Sequence, residues 1–150
     1  MNNTAEEQDI LRELCAGQPL AVLATDAGGK PYTSLVAVAL TPDLRQLFFA
    51  TLRASRKWAN LAGNPHVSLL MDNRGNQVTD FSRAAAATIL GVAEDLSGTG
   101  LETGLAIFLS RHPHLAEFAA SPGCALFRVR IASIYLVTRF QNVTEFHFSP

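Results

Sequence analysis

The sequence predicts a single α+β domain, mainly β, in which antiparallel strands form a barrel with short flanking helices. Three observations carry this. Short β-like runs follow one another with tight turns between them, where parallel neighbours would need crossovers of a dozen residues or more. Helical stretches between the strands are short, which suggests a barrel-like domain rather than alternating βαβ units. At 150 residues, 48% hydrophobic and 17% charged, the chain can bury one core and is too apolar for disorder. Residues 1–150 are read as one domain, with no internal repeat, linker or charge run.

The elements follow in order. Thr4 and Glu7 have the form of a capping box, Ile10, Leu11 and Leu14 share one helical face, and Gly17 is a stop. PLAVLATD, Pro19 to Asp26, is a first strand and AGGK a turn. PYTSLVAVAL, Pro31 to Leu40, is a second strand, and QLFFAT, Gln46 to Thr51, a third. The period then changes: SRKWANLAG, Ser55 to Gly63, places Trp58 and Leu61 at helical spacing before Gly63 and Pro65 end it. HVSLLMD, His66 to Asp72, returns to strand, and NRGNQVTDFSR is the longest irregular loop. From Ala84 to Leu96 the alanine run favours helix by propensity but TILGVAEDL favours strand, and strand is assigned. Ser97 to Gly100 reads as a flexible break, and Leu101 to Ala120 as a helix in two pieces, divided at Pro113. Ala125 to Ser133, Ile134 to Phe140 and Val143 to Phe148 read as three closing strands.

Composition bounds function. A net charge of −1 supplies no general basic field for nucleic acid or an anionic membrane, so any anion site must be local. Cys15 and Cys124 stand far apart without a C-x-x-C pair, as expected for reduced thiols in a cytoplasmic protein. The polar, acidic start does not read as a signal peptide, and no run of eighteen apolar residues occurs to span a membrane.

Chemistry gathers in FFATLRASRKWANL. Arg56 and Lys57 fall in the first turn of the expected helix, where the backbone is already positive and acidic residues are preferred. Each such charge costs a few tenths to about 1 kcal/mol in an isolated helix. A bound anion reverses the sign, because free N–H groups, the Ser55 hydroxyl and two cations together form a phosphate site. Side chains turned to solvent are the competing reading.

GKPYTSLVAVAL followed by FFATLRASRKWANLAGNPHVSLLMD resembles the pyridoxamine 5′-phosphate oxidase-like, FMN-binding split-barrel superfamily. The resemblance is strong over about residues 19 to 96 and looser through FLSRHPHLAEFAASPGCALFRVRI to the C-terminus. It implies an antiparallel split β-barrel and a homodimer with flavin sites at its interface. The FMN phosphate would lie on Arg56 and Lys57 beside Ser55, and the ring along Ser34, Leu35, Val36 and Ala37. Ala50 and Thr51 would lie between ring and phosphate, and Trp58 is a candidate for the pocket, the interface or the core. For Leu35 and Val36 ordinary core packing is the competing reading. Asp72, Asn73 and Arg74 lead into a loop that would face the partner subunit's flavin. The family's basic residue at the end of the second strand is here Ala39, its polar pair in the fifth strand falls on Ala85 and Ala86, and its C-terminal Arg and His motif has no counterpart. Oxidation of pyridoxamine phosphate itself is therefore not expected.

Other motifs are set aside. SGTGLETG lacks the third glycine of a dinucleotide fingerprint and reads as a hinge. His112 and His114 read as helix-surface residues rather than metal ligands, and His66 as exposed. His147 fits an edge strand, or an iron ligand of the kind used by haem-degrading members of the superfamily. The reading is an FMN-dependent oxidoreductase acting on a small molecule, with an electron donor and no catalytic residue or metal site assigned. Alternatives are a flavin carrier or sensor, a deazaflavin coenzyme in place of FMN, and a haem-binding or haem-degrading protein.

Overall fold

The computed structural model describes residues 5–150. Thr4, and with it the expected capping box, lies outside the described residues. The element order is α1 (Ala5–Gly17), β1 (Leu20–Asp26), β2 (Pro31–Leu40), β3 (Gln46–Leu52), α2 (Arg56–Gly63), β4 (His66–Asp72), α3 (Asp80–Arg83), β5 (Ala85–Asp95), α4 (Gly98–Arg111), a 3-10 turn (Pro113–Leu115), α5 (Ala116–Ala120), β6 (Cys124–Thr138) and β7 (Asn142–His147). All recorded pairings are antiparallel, in the order β3-β2-β1-β4-β5-β6-β7. A further ladder between β3 and β6 closes the first six of these strands into a barrel and leaves β7 outside the ring on β6. The expected mainly-β split barrel with short helices is the fold observed.

Local chemistry accounts for the hairpins and plugs. Gly28 and Gly29 have φ of 64° and 91°, the left-handed geometry of a two-residue hairpin, and Asp26 Oδ1 accepts the Gly29 N–H at 2.8 Å. β1 alternates, so Ala21, Leu23 and Thr25 enter the barrel while Val22 and Ala24 face outward. The interior is filled by Leu23, Leu47, Phe49, Leu69, Ile89, Val129, Ile134 and Leu136 among others, with Phe49 and Phe127 stacked at 5.3 Å. Leu11, Leu14 and Cys15 of α1 join this core, as does Leu61 of α2. α2 is tied down by Asn60 Nδ2 to Thr25 Oγ1 at 3.0 Å, and Trp58 Nε1 donates to Asp95 Oδ2 at 3.3 Å. A smaller second core of Ala39, Phe48, Leu96, Phe108 and Leu126 lies outside the barrel, where α4 covers β2, β3 and β6.

Several expectations need correction. The C-terminal part holds two strands, not three, because β6 runs unbroken through Ser133 and Ile134. The inward side chains change parity there, from Phe127, Val129 and Ile131 to Ile134 and Leu136, which reads like a strand end. It is instead a β-bulge: the register against β5 shifts between Leu90 and Gly91, leaving Ala132 unpaired. The supposed break and hinge at Ser97 to Gly104 is the first half of α4. Gly104 is there for space, since a Cβ would sit 2.8 Å from Phe48 Cε1. The long polar loop contains the short helix α3, whose Asp80 accepts N–H groups of Gly75 and Gln77 at 2.9 and 3.1 Å. His112 is not on a helix surface; only 2% of it is exposed. His66 is exposed, as read.

Two stability predictions follow from the packing. A Cβ on Gly91 would stand 2.3 Å from the Arg130 carbonyl oxygen, a backbone atom that cannot yield cheaply. Gly91→Ala should therefore destabilise by about 3 kcal/mol, the upper end of the usual overpacking range, as measured by urea denaturation. Burial pushes the Cys15 thiol up from 9.0 to about 12, while the Arg111 charge acts the other way. Below pH 9 both folded and unfolded chains keep that proton; between 9 and 12 only the unfolded chain loses it. The stability advantage of wild type over Cys15→Ala should thus shrink by up to about 1.4 kcal/mol per pH unit above 9, in urea titrations at stepped pH.

Candidate functional site

β2 and β3 are paired only at their connected ends, through Val38↔Phe49, Ala39↔Phe48 and Leu40↔Leu47. Beyond that point β2 continues against β1, from Ala37↔Leu20 to Pro31↔Asp26, and β3 continues against β6, from Ala50↔Leu126 to Leu52↔Cys124. The sheet forks. The Val38 N–H donates to the Pro19 carbonyl at 3.0 Å, which sets the ladder parity of β2. Ser34 and Val36 therefore turn their backbone groups to β1, and Thr33 and Leu35 turn theirs across the fork.

A cavity of about 350 Å³ fills the fork. Leu35, Val36 and Ala37 form one wall and Ala50, Thr51 and Leu52 the other. Phe108 of α4, Leu115 of the 3-10 turn and Phe118 of α5 make the third side, and Ser55 with Lys57 lies at the end. Leu35 is 63% exposed, and Leu52 and Phe118 are also open to solvent, an unusual density of bare apolar side chains around one opening.

α2 starts at this end of the cavity. Ser55 is its N-cap, with Oγ accepting the Trp58 N–H at 3.2 Å and lying 3.1 Å from Thr51 Oγ1. The first turn holds no acidic residue, and the Arg56 and Lys57 amides have no partner within the helix. The three nearby cations have separate fates. Arg53 Nη1 donates to the carbonyls of Pro122 and Cys124 at 3.2 and 2.8 Å, fastening the start of β6. The Arg56 guanidinium lies 5.6 Å over the Tyr32 ring, on the β2 side of the helix end. Lys57 lines the cavity and has no ion pair among the described residues.

A buried histidine holds the third side in place. Pro19 has no N–H to return the bond it receives from Val38, so the Val38 carbonyl loses its ladder partner. His112 Nε2 reaches that carbonyl at 2.7 Å; a carbonyl only accepts, so Nε2 carries the proton. The His112 ring packs on Phe108, 5.0 Å between centroids, and Phe108 lines the cavity.

The family model described as Pyridoxamine 5'-phosphate oxidase matches residues 8–138. The chain belongs to this family. Among solved structures, the heme binding protein from Mycobacterium smegmatis is similar at a TM-score of 0.83 and 19% identity, over 98% of this chain. The chain spans 59% of that protein's length. A FAD-binding protein from Mesorhizobium loti is similar at a TM-score of 0.68 and 18% identity, covering 89% of this chain and 94% of that one. The General Stress Protein 26 from Bacillus anthracis gives a TM-score of 0.68 and 19% identity over 92% and 98% of the two chains. No curated protein matches the chain.

Within this pyridoxamine 5′-phosphate oxidase-family chain, Leu35, Val36, Ala37, Ala50, Thr51, Ser55 and Lys57 come together at the cavity. Val36 has its side chain in the barrel core, so it offers backbone alone. Ser34 Oγ is buried without a hydrogen-bond partner. Arg56 lies at the helix end beside the cavity, and Trp58 packs against the barrel core. Ala39 and Ala85 are buried. Asn73 Oδ1 accepts the Ala85 N–H at 2.7 Å, and Arg74 pairs with Asp72 at 2.9 Å. His147 is exposed on β7, 3.1 Å from Glu145 Oε1. Among the described residues no three His, Cys, Asp or Glu side chains gather to hold a metal ion. No helix there is long and apolar enough to cross a membrane. Sequence reasoning missed Leu52, Phe108, Leu115 and Phe118; the helical spacing of Leu101, Leu105 and Phe108 signalled an apolar face, but not what it covers.

Removing the latch should be costly. His112→Ala strands the Val38 carbonyl and leaves a void beside Phe108, for an expected loss of about 2–4 kcal/mol by urea denaturation.

Proposed function

We propose that the cavity in the fork holds FMN, and that the protein is a flavin-dependent oxidoreductase acting on a small molecule. The observation that carries this reading is the juxtaposition across the fork of an open strand edge and a cationic helix N-terminus. A phosphate suits the α2 terminus, with its free amides, Lys57 and Arg56. The backbone groups of Thr33 and Leu35 suit the polar edge of a flavin ring, and Leu35, Ala37, Phe108 and Leu115 suit its faces. Buried Ser34 Oγ, still without a partner, adds a polar atom on the same strand.

When bound, FMN supplies the electron-transfer chemistry. The chain's own share is to bind, orient and shield, because among the described residues Lys57 is the only ionisable side chain lining the cavity. Shielding is incomplete in one copy, since Leu35, Leu52 and Phe118 remain exposed. A second copy packed over this opening would cover them, which supports a homodimer with the flavin at its interface. The relatives described as FAD-binding and heme binding support a planar aromatic cofactor in this fold. Flavin is favoured over haem because the lining residues offer a phosphate site and no imidazole to ligate iron.

The reading is tested by titrating FMN and riboflavin against the Arg56→Ala/Lys57→Ala variant, following flavin fluorescence. FMN should weaken by about tenfold or more, at about 1.4 kcal/mol per tenfold, while riboflavin is nearly unchanged. Equal loss of both ligands would remove the phosphate from this place. Turnover of an acceptor by the reduced flavoprotein separates an oxidoreductase from a carrier or sensor.

A further inference from the structure

A larger cavity, of about 760 Å³, lies on the outer face of the barrel where β5, β6 and the start of β3 meet the C-terminal residues. It shares no lining residue with the cavity in the fork. Arg45, Arg128 and Arg130 all line it, together with the Glu94 side chain and the last residue, Pro150. One oxygen of the Glu94 carboxylate, Oε1, receives Arg128 Nη2 at 2.5 Å and lies 3.7 Å from Arg130 Nη2. Arg45 lies 5.7 Å over the Phe148 ring; its backbone N–H donates to Asp43 Oδ1 at 3.0 Å, and its charge helps hold the Asp43 carboxyl below the usual range. Arginine does not shed its charge, so three cationic side chains stand against one acidic side chain in the lining, in a chain whose net charge is −1.

Solvated surface arginines do not account for this arrangement. The Arg128 side chain is only 23% exposed, and its Nε is buried with no hydrogen-bond partner. Burying a guanidinium nitrogen without an acceptor is unfavourable, so Arg128 is held in place by its bond to Glu94 rather than left free in solvent. Val92, 40% exposed, and Phe148 supply apolar surface beside the charges. The frame is rigid: the Ile131 N–H donates to the Arg45 carbonyl and the Phe148 N–H to the Ala132 carbonyl, each at 2.9 Å. These bonds flank the β6 bulge, which is allowed by the close approach of Gly91 to Arg130. A preformed cavity of this size, part apolar and lined by three arginines, matches a small organic ligand.

We propose that this cavity binds an organic oxyanion: a carboxylate or phosphate ester, gripped by Arg45, Arg128 and Arg130, on a flat apolar body that rests on Val92 and Phe148. The site is independent of the flavin reading. The test is an amide chemical-shift titration of the isotope-labelled full chain with 1-naphthoate, 1-naphthyl phosphate and the neutral 1-naphthalenemethanol. At least one anion should give saturable shifts at Val92, Arg130, Ile131 and Phe148, with the neutral probe about tenfold weaker or more. Arg45→Gln/Arg130→Gln should weaken the anion by a similar factor; both positions are exposed, and a dispersed spectrum confirms folding. Whichever anion binds more tightly identifies the head group. Shifts centred elsewhere, no saturation with either anion, or equal affinity for the neutral probe would overturn the proposal, and the wild-type comparison alone decides it should the variant misfold.

Discussion

The ladder between β3 and β6 does more than close the barrel. It pairs β3 from Gln46↔Arg130 to Leu52↔Cys124, whereas β3 meets β2 only from Val38↔Phe49 to Leu40↔Leu47. β3 follows β6, so β2 is left with an open edge facing β3 across a gap. Arg53 reinforces that choice by holding the carbonyls of Pro122 and Cys124. The turn after β3 then delivers the N-terminus of α2 to the mouth of the same gap. Open edge, apolar walls and cationic helix end thus share one cause.

The covering helices depend on accommodations to that geometry. α4 comes close to the outside of the barrel because Gly104 leaves room for Phe48. Its C-terminal end is fixed by His112, which answers a carbonyl that Pro19 leaves unpaired. The result is a second apolar core outside the first, with Phe108 contributing to both that core and the cavity. Solved structures of this fold are described as heme binding in one case and FAD-binding in another, at identities of 19% and 18%. The barrel is therefore a scaffold, and the fold alone does not name a ligand.

Most strands were legible because one face of each is buried and the side-chain period is two; β2 and β4 have the expected bounds. The N-terminal half of the site was legible for a related reason. Ser55, Arg56 and Lys57 form a local electrostatic anomaly, and a helix end depends on neighbouring residues alone. The C-terminal half was harder. A bulge and a strand end leave the same mark in sequence, a change of parity, and only the partner β5 distinguishes them. His112 read as a surface residue because nothing nearby shows that a carbonyl far earlier in the chain needs a donor.

By itself the sequence determined the run of strands, the family likeness and the cationic character of the strand-to-helix junction, all products of local pattern. Tertiary structure alone decided which cation faces the cavity, since Arg53 is taken by β6, Arg56 lies over Tyr32, and Lys57 remains. It also decided the third side of the cavity and the separate arginine-lined cavity at Glu94. Both bring together residues distant in the chain, and closure of the barrel, rather than any local preference, makes them neighbours.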